Sequence, residues 1–81
     1  MSRLPQVNRR KLGREHADGL WDGRAITVDA RLSGRRELSV LLHEGLHWAC
    51  GYMDESEVDR VSAALARLAW RDGYRRERNT R

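Results

Sequence analysis

Two apolar stripes at helical spacing, only a few residues apart, constrain this 81-residue chain more than any other feature. Leu38, Leu41, Leu42, Leu46 and Ala49 recur at three- and four-residue steps, the spacing that lines one face of an α-helix. Ser33 stands ahead of them as an N-cap, with Glu37 near the first turn. Gly51 behind them supplies a C-terminal stop. A first helix is therefore expected from Ser33 to Cys50. The second stripe, Val58, Val61, Leu65, Leu68 and Ala69, follows Asp54, an N-cap whose capping-box partner is Glu57. Asp72-Gly73 ends it. Two helices joined by so short a connection must fold back on each other as a hairpin.

Upstream, Asp18-Gly19 and Asp22-Gly23 are turn signals. The run Ala25-Ile26-Thr27-Val28-Asp29 is β-branched, with Ile26 and Val28 on one face. The second Asp-Gly pair followed by that run predicts a hairpin or a two- to three-stranded ribbon. The expected fold is α+β, a small β-ribbon packed on a two-helix hairpin. Residues before about position 14 lack periodicity and read as a loose basic arm or a poorly packed helix. The expected organisation is an arm over 1–14, a folded domain over 15–74 and a basic tail over 75–81.

A domain of this size buries only about 60% of its unfolded surface, so a bound metal or a partner would add needed stability. The longest apolar run is Val40 to Leu42, far short of a membrane span, and no secretory leader is visible. The single cysteine, Cys50, has no internal partner, which favours a reducing compartment and a cytoplasmic location. Net charge is +4, and fifteen of sixteen basic residues are arginine, Lys11 being the exception. Much of the excess lies in Arg9 to Arg14 and Arg75 to Arg81. Solvated termini are the plainer reading of these tails, and weak contact with nucleic acid the alternative.

The chemistry is concentrated in His43-Glu44-Gly45-Leu46-His47, an HExxH motif within the first helix. Histidines four apart stand one turn above each other, so both imidazoles can reach one ion. Glu44, beside the first of them, can take a proton from water at that ion. Zinc is the natural occupant of such a donor set. A third ligand must come from elsewhere. The position six residues past His47 is Met53, not histidine. Cys50 lies a further turn along and reads as a buried small hydrophobe, and His16 sits in an uncertain region. The acids opening the second helix are better placed. Glu55, three residues before Val58, lies in line with the inward stripe and is favoured; Glu57 has a ready role in the capping box.

HExxH on one helix with a glutamate from the next resembles the gluzincin branch of the zincin metallopeptidases, in its small phage-associated or SprT-like versions. The likeness runs from Ala25 to Tyr74. It covers Val28-Asp29, Arg31-Leu32, Leu41-Leu42-His43-Glu44-Gly45-Leu46-His47-Trp48, Glu55-Ser56-Glu57-Val58 and Leu68-Ala69-Trp70-Arg71-Asp72-Gly73-Tyr74. What it implies is a minimal zincin-like domain with one zinc on His43, His47 and Glu55, and Glu44 as general base.

The leading expectation is a small zinc-dependent hydrolase acting on a peptide or protein, in the host cytoplasm if phage-encoded. The alternatives are a metal-stabilised binding module whose basic surface contacts DNA or a protein, and an inactive helper of a larger assembly. Tyr52, Tyr74 and Arg75 are candidates to assist at the reacting carbonyl. The edge at Ala25 to Asp29 is a candidate to pair with extended substrate. Trp21, Trp48 and Trp70 read first as core residues, with Trp48 a candidate to line a cleft beside His47.

Overall fold

The computed structural model describes residues 3–77. Met1, Ser2 and the last four residues of the expected tail lie outside them. The chain builds a three-stranded mixed sheet and two helices: β1 (Gln6–Arg10), β2 (Gly19–Trp21), β3 (Ala25–Asp29), α1 (Gly34–Ala49) and α2 (Glu55–Arg71). The fold class is α+β, as expected.

The Asp22-Gly23 turn forms as its chemistry dictates. Gly23 adopts φ +91°, and Asp22 Oδ1 accepts from the N–H groups of Arg24 (2.8 Å) and Ala25 (2.9 Å). It joins β2 to β3 antiparallel, with Trp21 opposite Ile26. Ile26 and Val28 are buried together against Val40 of α1, and Trp21, Leu32, Leu41 and Trp48 close the cluster.

The amino-terminal stretch corrects the expectation of a loose arm. Residues 6–10 form β1, which pairs parallel with β3 along its whole length, Gln6 opposite Ala25 and Arg10 opposite Asp29. Leu12, just beyond, is fully buried. The ladder needs only backbone groups, so a nearly all-polar strand can form it. The strand order β1-β3-β2 also places β3 in the centre of the sheet. Both of its edges are occupied, so β3 cannot take an added strand.

The helices end where expected, but the faces they bury differ. On α1 the deepest residues are Glu37, Val40 and Glu44; the leucines are half-buried and Ala49 is exposed. On α2 they are Val58, Ser62 and Ala66, small residues that admit a neighbouring helix closely. A buried carboxylate such as Glu37 requires charged partners. Arg9 of β1 (3.0 Å) and Arg76 (3.2 Å) supply them. Arg75 stacks on Trp70, its guanidinium carbon 3.4 Å from the ring centroid. These arginines of the expected tails therefore hold fixed partners.

Asp29 closes the sheet onto the following loop. It accepts from the Arg31 guanidinium (2.7 and 3.0 Å), the Arg31 N–H (2.9 Å) and the Leu12 N–H (3.3 Å). Chiefly through the Arg31 side chain, these bonds hold its carboxyl well below the ordinary range. An acid with a depressed pKa contributes stability that is present above its unfolded value and lost as pH falls. Thermal unfolding should therefore show a Tm that drops below about pH 4, with a shallower drop in Asp29→Asn.

Candidate metal centre

His43 and His47 stand one turn apart on α1, ring centroids 4.9 Å from each other. The connection after Cys50 turns the chain so that the first turn of α2 comes to meet them. The capping box forms as expected: Asp54 Oδ1 accepts from the Glu57 N–H (2.8 Å) and Glu57 Oε1 from the Asp54 N–H (3.2 Å). With Glu57 tied into the cap, Glu55 points at the histidines. Its Oε2 lies 3.3 Å from His43 Nε2 and its Oε1 2.8 Å from His47 Nε2.

One donor atom from each of these residues falls within a 4.8 Å group that could hold a metal ion. Donors about 2.0–2.2 Å from a tetrahedral zinc stand roughly 3.3–3.6 Å from one another; the His43–Glu55 separation of 3.3 Å fits this, and the His47–Glu55 contact of 2.8 Å is shorter. Asp59, a turn beyond Glu55, adds the orienting contact. His43 Nδ1 lies 3.1 Å from Asp59 Oδ1. That contact fixes the ring orientation in which Nε2 is presented to Glu55. Two imidazoles and a carboxylate suit zinc among the divalent ions.

Sequence reasoning passed over Asp59. The available signal was its spacing, four residues from Glu55 on the same helix.

Glu44, next to His43 on α1, packs under Gly19 of β2. Only 9% of its surface is exposed. Burial pushes its carboxyl up, and the charges of nearby His43 and His47 pull it down. It lines an open cleft of about 390 Å³ with Gly19, Ser39, His43, Asp59 and Ser62, among others, and Arg36 pairs with Asp18 at the same cleft.

Gly19 is what permits this approach. A Cβ there would stand 2.6 Å from Val40 Cγ1 and 3.0 Å from Glu44 Cγ. Read from sequence as a turn residue, it is in fact a strand position that must lack a side chain. Val40 is β-branched and stiff on a helix, so Gly19→Ala should cost about 1–3 kcal/mol in chemical denaturation. An unchanged midpoint would show that α1 moves freely.

Other expectations fall away from the site. Tyr52 is 88% exposed, and Cys50 is half-buried and outside the metal-binding group. Trp48 packs against the sheet core instead of a cleft. Tyr74 and Arg75 lie by Trp70, which approaches Gly34 at the far end of α1. His16 is exposed in a left-handed conformation after a 3-10 turn.

The division of labour between the two acids gives a direct comparison. Glu55→Gln should weaken zinc affinity strongly in a competition titration. Glu57→Gln should leave affinity intact and cost at most a capping contribution of about 1 kcal/mol. The reverse order would move the ligand to Glu57. Among the described residues, no helix is long and apolar enough to cross a membrane. No family model, curated protein or solved structure matches the chain.

Proposed function

We propose that this chain is a minimal gluzincin-like zinc hydrolase that cleaves peptide bonds, with α1 and α2 as its zincin-like core. The observation that carries the reading is the convergence of His43, His47 and Glu55 within 4.8 Å, with nearly buried Glu44 lining the adjoining cleft. His43, His47 and Glu55 would hold the zinc, and Asp59 would orient His43. Bound there, zinc would supply Lewis-acid polarisation of the substrate carbonyl and lower the pKa of water.

Glu44 then acts as the base. It removes one proton from water as the water oxygen bonds to the carbonyl carbon, and passes that proton to the amine nitrogen as the C–N bond breaks. With β3 enclosed, β2 is the strand that borders the cleft, and its outer edge is the place for an extended peptide to pair.

The test is cleavage of a random peptide library by the zinc-loaded chain. Activity should vanish with chelator and return with zinc; cleavage indifferent to chelator would refute the proposal. One observation favours a second reading, a metal-stabilised module that binds nucleic acid. Arg60, Arg67 and Arg71 share the solvent face of α2, and among the described residues none of them has an ion-pair partner. That reading keeps the zinc and gives no cleavage.

A further inference from the structure

The apolar stripe of α2 has more residues than the monomer covers. Val58, Ser62 and Ala66 face inward. At 100° a residue, Leu65 and Leu68 are turned roughly 60° and 120° from Ser62, and they remain 42% and 65% exposed. Tyr74, three residues past the end of α2, is 67% exposed. With half-buried Leu42 of α1 and Ala69, these residues line an open groove along the helix pair. Exposed leucines placed singly need no explanation; a continuous groove of them beside an aromatic ring marks a contact surface.

The charges at the groove indicate what fits it. Its two charged liners are Arg71 and Asp72, adjacent and opposite in sign. Among the described residues neither has an ion-pair partner. A uniformly acidic partner, nucleic acid included, would set like charge against Asp72, and a uniformly basic one against Arg71. A second copy related by a two-fold axis matches both, because each Arg71 can meet the other chain's Asp72. Two paired helices of sixteen and seventeen residues present a face of the kind that four-helix bundles bury.

We propose that this groove is a homodimer interface, in which Leu42, Leu65, Leu68 and Tyr74 of two copies pack together and Arg71 pairs with Asp72 across the axis. The interface is independent of the metal reading. The test is sedimentation of the full chain over an approximately hundredfold concentration range, with zinc content measured on the same samples. Wild type should approach twice the 9.4 kDa chain mass. Leu68→Glu should sediment as a monomer with unchanged helicity and zinc content. Arg71→Glu should weaken dimerisation by about tenfold or more, and Arg71→Glu with Asp72→Arg should restore it. A wild type monomeric throughout, as expected if the groove serves another protein or none, would overturn the proposal. So would a dimer that survives Leu68→Glu, or a double variant as weak as Arg71→Glu alone.

Discussion

Glu44→Gln should fold, carry as much zinc as wild type, and lose peptide hydrolysis by about 10²–10⁴-fold, the usual contribution of a positioned acid–base group. Glutamine has nearly the same size, so the packing of residue 44 against Gly19 persists. What disappears is a carboxylate able to accept a proton from water. A rotation of about 100° separates Glu44 from His43 on the helix, which sets it beside the histidine pair and not within the donor group. The substitution thus separates metal binding from catalysis. Retained zinc with unchanged cleavage would remove Glu44 from the mechanism.

His43→Ala or His47→Ala should abolish stoichiometric zinc, and much of the stability should go with it. A ligand that binds only the folded state, at about a thousand times its Kd, stabilises by about 4 kcal/mol. That is a large fraction of what a domain this small can hold. Wild type should therefore show a zinc-dependent rise in Tm that both alanine variants lack. The alanine at 43 also leaves Asp59 and Glu55 facing each other without the imidazole between them. Equal metal content and equal Tm in all three proteins would end the metal-site reading.

Legibility in the sequence followed the range of the interactions. The helices, the capping box of α2 and the HExxH spacing are local, so periodicity and capping rules place them within a residue or two; Ser33, read as the cap of α1, makes no side-chain capping bond. Glu55 was legible for the same reason, because a short connection leaves its helix little choice of direction. β1 was not legible. Gln6–Arg10 has one apolar side chain, Val7, and its partner strand lies nineteen positions further on.

The buried face of α1 was misread because hydrophobicity cannot report a carboxylate that is neutralised from afar. Glu37 is buried, with Arg9 and Arg76 reaching it from opposite ends of the chain. On α2, Ser62 and Ala66 turn inward while Leu68 turns out, a register that small residues permit and an apolar count does not reveal. The value of Gly19 likewise depends on a helix that passes over it, which no local pattern records.

The central claim is that His43, His47 and Glu55 together hold one zinc ion. Zinc-edge X-ray absorption on protein purified without chelator, with metal content measured in parallel, tests it most directly. About one zinc per chain is expected, with two imidazole nitrogens and otherwise oxygen around it at about 2.0–2.2 Å. In Glu55→Gln the affinity should fall while no sulfur enters the shell. Substoichiometric zinc, or a sulfur neighbour at about 2.3 Å that brings Cys50 into the site, would contradict it.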